Sequence, residues 1–222
     1  MNQIEIMKAR HSVRQYKDQP IEADLIKILT DEINVCNEKS GLHIQLVTNE
    51  PKAFDGFMAH YGKFNGVTNY IAMIGKKGND LEEKCGYYGE RVVLLAQRLG
   101  LNTCWVAMTY NKIKTAFTIN NGEKLCIVIA IGYGETQGVP HKSKPAESVM
   151  KADKPVPQWF QNGIDAALLA PTAMNQQKFV FYLSGNKVSV KAGVGFYTKL
   201  DLGIVKYHFE LGAGKDKFDW IC

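Results

Sequence analysis

Leu168-Leu-Ala-Pro-Thr-Ala-Met-Asn-Gln-Gln-Lys-Phe179 is the stretch around which the chain is organised. An apolar helical pattern from Trp159 to Ala170 runs up to Pro171. Proline restricts the residue before it, so the helix ends or turns there. Four polar residues follow, Thr172, Asn175, Gln176 and Gln177, and then the β-type run Phe179-Val-Phe-Tyr-Leu183. A cluster of neutral donors and acceptors therefore sits on a tight connection between two buried elements, where binding groups usually lie. A loop whose Thr and Asn satisfy local backbone groups alone has the same sequence pattern.

Working outward, 222 residues suffice for one large domain or two small ones. The formal charge of +5 favours an anionic ligand. Basic and acidic residues are interspersed, so nucleic-acid binding is not implied. No apolar run reaches membrane-spanning length, and Met1-Asn-Gln-Ile-Glu-Ile has no signal-peptide pattern. Cys36, Cys85, Cys104, Cys126 and Cys222 lack metal or redox spacing; most read as small core residues of a cytoplasmic protein. The histidines are separated, so no metal site is expected, and no Ser-His-Asp constellation is present.

Near the N-terminus, after a short helix over 4–9, lies Arg10-His-Ser-Val-Arg-Gln-Tyr16. An extended backbone points Arg10, Ser12 and Arg14 to one side, with His11 and Val13 opposite. Those donors suit a phosphate; a solvated basic segment has the same pattern. A helix opens at Pro20-Ile-Glu22 and ends near Asn37, with Leu25, Ile28, Leu29 and Ile33 at helical spacing. Leu42, Ile44 and Leu46 alternate with polar residues as in a half-buried strand. Residues 49–66 read as a long surface excursion, either a lid or irregular surface. A strand follows at 70–74, a strand or tight turn at 103–106, and a short helix at 111–117. The helix 81–100 has a wide apolar face and ends at Gly100. Leu125-Cys-Ile-Val-Ile-Ala-Ile131 is a central strand buried on both faces. Glycines and prolines punctuate 132–157, an ordered crossing segment or a linker. The rest predicts a hairpin through Ser184-Gly-Asn-Lys187, a helix over 201–211 and a final Phe218-Asp-Trp-Ile221. A weak repetition pairs Gly89 and Gly100 with Gly203 and Gly214, followed by Trp105 and Trp220.

Together, several segments resemble the nitroreductase family of FMN-dependent oxidoreductases. Arg10-His-Ser-Val-Arg14 is similar to the family's Arg-x-Ser-x-Arg/Lys element. Leu99-Gly-Leu-Asn-Thr-Cys-Trp-Val106 is similar to its Leu-Gly-x-x-x-x-x-Ile/Val turn. Ile131-Gly-Tyr-Gly134 with His141-Lys-Ser-Lys-Pro-Ala-Glu147 resembles its basic phosphate-binding segment. Ala170-Pro-Thr-Ala-Met-Asn-Gln-Gln177 is similar to Ala-Pro-Ser-x-x-Asn-x-Gln-Pro, with Lys178 where the last proline stands. In most members that element follows the first long helix, where this chain has Cys36-Asn-Glu-Lys-Ser-Gly41. The chain is most similar to a bacterial branch with two fused half-repeats and this motif in the C-terminal half.

The resemblance implies an α+β fold, a three-layer α/β/α sandwich with a mostly antiparallel sheet and pseudo-two-fold fused halves. The single domain would divide into half-repeats 1–137 and 138–222, with FMN at their interface. Arg10, Ser12, Lys142 and Lys144 would hold phosphate and ribityl chain. Arg14 would lie near flavin N1 and O2, where a cation favours the reduced anion. Thr172, Ala173 and Asn175 would contact ribityl or ring edge, and backbone amides around Ala107 and Met108 would reach N5 and O4. His11, Trp105 and Pro171 complete the implied cofactor-binding set. No side chain is expected to be catalytic, because flavin N5 carries the chemistry. The implied reaction is ping-pong, with hydride passing from NAD(P)H through the flavin to a small nitroaromatic or quinone-like acceptor. One FMN per chain is expected, in a monomer with an intrachain pseudo-dimer or in a homodimer, with no nucleic-acid or membrane partner. Two other classes stay open: an FMN carrier or sensor with little turnover, if Ala107-Met108 crowds the flavin, and a flavin-free interaction domain.

Overall fold

The computed structural model describes residues 1–222 except Lys154 and Cys222; the expectations for Cys222 as a core residue and for Lys154 in the crossing segment fall outside the described residues. The elements in chain order are α1 (Gln3–Ala9), α2 (Ala23–Ser40), β1 (Gln45–Val47), α3 (Phe57–Tyr61), β2 (Tyr70–Lys76), α4 (Leu81–Arg98), β3 (Asn102–Val106), β4 (Glu123–Gly132), β5 (Met150–Ala152), α5 (Gln158–Ala167), β6 (Phe179–Ser184), β7 (Lys187–Ala192), α6 (Thr198–Ala213) and β8 (Asp219–Trp220). The fold is α+β. Two compact units share these elements. An antiparallel unit holds Ala9–Leu81 and Arg91–Val139; a mixed unit holds Met1–Lys8, Glu82–Glu90 and Pro140 onward.

In the antiparallel unit the strand order is β1-β2-β4-β3, every pair antiparallel. The apolar run 125–131 places β4 between β2 and β3, as expected for a strand without a polar face. Leu29, Ile33 and Cys36 form the buried stripe of α2, while Ile28 is exposed. Gly41 ends α2 in the left-handed region, φ 70°, and donates to Asn37 O. The Asn37 amide then grips the backbone of Ile44, donating to its carbonyl at 3.0 Å and accepting its N–H at 2.7 Å. That grip orients the start of β1.

The excursion 49–66 is more ordered than its polarity suggested. Glu50 caps a short turn at Pro51–Ala53, and α3 follows. Ala53, Phe54, Ala59 and Phe64 are buried in the unit's core beside Tyr70 and Val128. Phe54 meets Phe64 edge-on, ring centres 5.2 Å apart. Phe57 and Tyr61 of α3 stay exposed. The helix expected at 111–117 is absent. This segment forms turns, and Ile113 and Phe117 reach the same core from irregular backbone.

In the mixed unit the order is β5-β6-β7-β8. The β6–β7 hairpin is antiparallel; β5 and β8 add in parallel on its two sides. The segment 132–157 thus contains a strand, β5, hidden in sequence by its shortness and two lysine-rich flanks. Phe160, Phe181, Phe209 and Phe218 form an aromatic core, with Phe181 stacked on Phe209 at 4.6 Å. Each such buried ring contributes about 2 to 3 kcal/mol. Helix α6 runs past the start of α4 at backbone contact. A Cβ on Gly86 would lie 2.0 Å from Leu200 O, and one on Gly203 would lie 1.9 Å from Glu83 O. Beside this crossing, His208 Nε2 meets Glu90 Oε1 at 2.9 Å, both side chains fully buried, and His208 Nδ1 faces Ala166 O at 3.1 Å. Gly100 and Gly214 close α4 and α6 with φ 81° and 83°.

Candidate functional site

The two sequence motifs lie in different units, and each builds its own neighbourhood. In the antiparallel unit, 12–16 is bridged rather than a regular strand. Ser12 pairs with Thr103 in parallel, and Tyr16 pairs with Gly134. Val13 N–H donates to Thr103 O at 3.1 Å, and Asn65 N–H to Arg14 O at 3.0 Å. Ser12 and Arg14 are exposed on either side of buried Val13, and Tyr16 is buried out of that alternation. Arg10 departs from this pattern and is 3 % exposed. Bridging begins at Ser12, so the alternation does not extend back through the end of α1 to Arg10.

These three residues nevertheless converge. Burial pushes the Cys104 thiol up, while Arg14, a hydrogen bond from Ser12 and Arg10 oppose the shift. The Tyr16 hydroxyl is also raised, first by burial and then by Cys104, against Arg14. The Ser12 hydroxyl and the Arg14 and Arg10 guanidinium groups therefore all act on the Cys104 thiol of β3. In sequence Cys104 reads only as a core cysteine. The Arg14 guanidinium also lies over the Phe64 ring at 5.8 Å. His11 is half-buried beside Gly138, whose added Cβ would meet its Cβ at 2.8 Å. After β3, Trp105 and Ala107 are half-buried, and Met108 is 69 % exposed.

In the mixed unit, α5 ends before Pro171 and the chain enters a loop of unusual backbone. Met174, Asn175 and Gln177 have φ of 51°, 53° and 44°, a region that residues with side chains rarely adopt. Side chains hold this shape. Gln177, 2 % exposed, accepts Lys144 N–H at 2.9 Å and donates to Lys142 O at 2.8 Å and Asn175 Oδ1 at 2.7 Å. Asn175 Nδ2 donates to Lys142 O at 2.9 Å, and Thr172 Oγ1 accepts Gln177 N–H at 3.0 Å. The Lys144 ammonium donates to Gln176 O at 2.8 Å and Gln177 O at 3.0 Å, so it fastens the loop. His141 and Ser143 both reach Leu168 O, at 2.9 and 3.1 Å. The Lys142 side chain is exposed, Pro171, Thr172 and Ala173 are half-buried, and Met174 projects at 83 % exposure.

Two residues outside the expected set organise this loop, Gln177 and Asp201. Asp201 Oδ1 accepts Ala173 N–H and its Oδ2 accepts Gln176 Nε2, both at 2.9 Å. Burial lifts its carboxyl to about 6, against the pull of those two hydrogen bonds. In sequence Asp201 reads as the start of the last helix. The one hint of more was a carboxylate among Leu200, Leu202 and Ile204. A groove of about 720 Å³ in the same unit contains none of the expected cofactor-binding residues; Glu147, Asp153, Lys151 and Lys187 line it with both signs of charge.

The sequence model of the family described as "Putative TM nitroreductase" matches residues 2–213. The chain belongs to this nitroreductase family. It is therefore an oxidoreductase, and its fold is that of other nitroreductases. A structure named as a putative nitroreductase from Thermotoga maritima MSB8 is 23 % identical, with TM-score 0.69, over 97 % of this nitroreductase and 85 % of that chain. A putative NADH dehydrogenase/NAD(P)H nitroreductase from Parabacteroides distasonis is 21 % identical, with TM-score 0.53, over 66 % of this chain and 95 % of that one. A nitroreductase-like protein from Streptococcus mutans is 14 % identical, with TM-score 0.55, over 65 % and 94 %. No curated protein matches the sequence. No helix among the described residues is long and apolar enough to cross a membrane.

Proposed function

We propose that this nitroreductase binds FMN and passes hydride from NAD(P)H to a small electron acceptor, nitroaromatic or quinone-like, in a ping-pong cycle. The observation that supports the reading is the convergence of Arg10, Ser12 and Arg14 around Cys104 on β3. Cations with a hydroxyl suit a terminal phosphate, which carries close to two negative charges. The sequence has no Gly-x-Gly-x-x-Gly loop for a dinucleotide, which favours FMN over FAD. Bound FMN supplies the hydride chemistry at its N5.

From the antiparallel unit, we assign Arg10 and Ser12 to the phosphate, with His11 beside them. Arg14 stabilises negative charge at the pyrimidine edge, and Trp105, Ala107 and Met108 line the ring. From the mixed unit, Lys142 adds a cation. Pro171, Thr172, Ala173 and Asn175 present the loop to ribityl and ring edge. Lys144 acts on the shape of that loop, consistent with its bonds to Gln176 O and Gln177 O. Each element occurs once, so one FMN per chain follows. Five cysteines without metal or redox spacing support a reducing cytoplasm as its place of work.

Titration of flavin-free protein with FMN and with FAD tests the reading. FMN is expected to saturate at one per chain with FAD weaker, and stopped-flow mixing with NADH or NADPH then bleaches the flavin. Tight FAD, or no flavin binding at all, overturns it.

A further inference from the structure

One carboxylate holds the positive-φ loop at two points. Asp201 accepts the Ala173 N–H on one oxygen and the Gln176 amide on the other, each at 2.9 Å. Gln176 Nε2 donates at the same time to Phe196 O at 2.6 Å. Both neighbours of that nitrogen are acceptors, so the amide has one allowed orientation; flipped, it would set oxygen against oxygen. The Gln176 amide oxygen fills the space beside Gly195, where an added Cβ would lie 2.4 Å from it. The clasp thus joins the loop after Pro171, the turn before α6 and the first turn of α6.

The chemistry of the clasp requires a carboxylate. Two donors point at it, and only an ionised carboxyl offers acceptors on both oxygens. An asparagine of the same size would offer one acceptor and turn a donor against the Gln176 donor. Protonated Asp201 would do the same with its hydroxyl. Yet Asp201 is 3 % exposed, and taking a carboxylate out of water is costly. A position chosen for stability alone would favour the amide. The charged groups on the elements around it are otherwise engaged or solvated. Lys144 is held by Gln176 O and Gln177 O, Lys178 by Val194 O, and Lys206 pairs with Glu83, while Lys199 is exposed.

We propose that Asp201 is a positioning residue of this nitroreductase, whose two oxygens hold the Pro171–Gln177 loop in the shape that receives the flavin. The proposal rests on the FMN reading above. It predicts a separation of two quantities that a purely structural aspartate would move together.

The test compares wild type with Asp201→Asn by three measurements. Hydrogen exchange of the 172–177 peptide and thermal melting are read on flavin-free protein at pH 7.5; FMN affinity is read by fluorescence titration. In Asp201→Asn the loop is expected to exchange about tenfold faster and FMN to bind about tenfold more weakly, the scale of one lost charged hydrogen bond, while the melting temperature holds or rises. An unchanged loop and affinity, or a fall in melting temperature alongside them, overturns the proposal. Wild type supplies a second readout without substitution. Loop protection in flavin-free protein, corrected for intrinsic exchange, should fall as pH drops through about 6; constant protection overturns it. The flavin is left out there because its phosphate titrates in the same range. If wild type binds no FMN, the flavin reading fails, while the exchange data still judge the clasp.

Discussion

Segment 12–16 and the loop 171–177 carry the two halves of the motif set and are built in opposite ways. In 12–16 the backbone is satisfied by bridges to Thr103, Asn65 and Gly134, and the Ser12 and Arg14 side chains are exposed. In 171–177 the backbone bends into the left-handed region, and Gln176, Gln177, Thr172 and Asn175 are bonded to the loop or its neighbours. In the proposed function the first segment recognises with side chains. The second uses side chains to hold a shape, and presents backbone and the Met174 tip. Substitution should therefore cost function without stability in the first, and loop shape in the second.

The largest expected effect breaks the loop. Gln177→Leu leaves Lys144 N–H without its partner and removes one of the two donors to Lys142 O, putting an apolar side chain at a buried position. Thermal unfolding should show a loss of about 3 kcal/mol, with FMN binding abolished. A melting temperature within error of wild type would contradict the account of the loop.

Arg14→Ala tests the other side of the comparison. The fold should melt as wild type, because Arg14 is exposed. Flavin reduction by NADH should slow about tenfold, and the two-electron potential should drop by about 30 mV, the equivalent of about 1.4 kcal/mol. A potential unchanged or raised removes Arg14 from its role.

A pH-dependent effect comes next. The Asp201 carboxyl titrates at about 6 in the folded chain, against an ordinary aspartate value of 3.8. Its folded pKa is raised, so the folded state holds the extra proton between those values. Its contribution is most favourable below about 4, weakens as pH rises, and is lost above about 6. Flavin-free wild type should therefore lose, relative to Asp201→Asn, about 2 to 3 kcal/mol between pH 4 and pH 8. Parallel melting curves across that range would exclude the burial argument. The smallest effect is Met174→Gly, which relieves a left-handed residue at an exposed tip and should stabilise by about 0.5 kcal/mol in urea melts.

Much of this was legible in sequence because periodicity reports burial. Helices α2 and α4 and strand β4 carry apolar stripes or runs that admit one reading. The turn at Pro171 follows from proline chemistry alone. The failures share a cause. Ile113 and Phe117 have helix-like spacing, but they are buried by an aromatic core assembled from distant residues. Strand β5 pairs with β6, and three residues carry no period of their own. Arg10 alternates with Ser12 in sequence only, since pairing starts after it. Asp201 and Gln177 gain their roles from hydrogen bonds 28 and 35 positions away, which no local pattern encodes.

The crossing of α4 and α6 at Gly86 and Gly203 has a consequence for how the mixed unit can come apart. Each glycine faces a carbonyl of the other helix, three residues from the partner glycine, so the helices interlock like two notched bars. Sliding by one turn would drive a side chain into that carbonyl. The crossing therefore has one register and no neighbouring one to drift into. These helices must separate in one step or remain joined, and the beginning of α4 inherits the lifetime of α6.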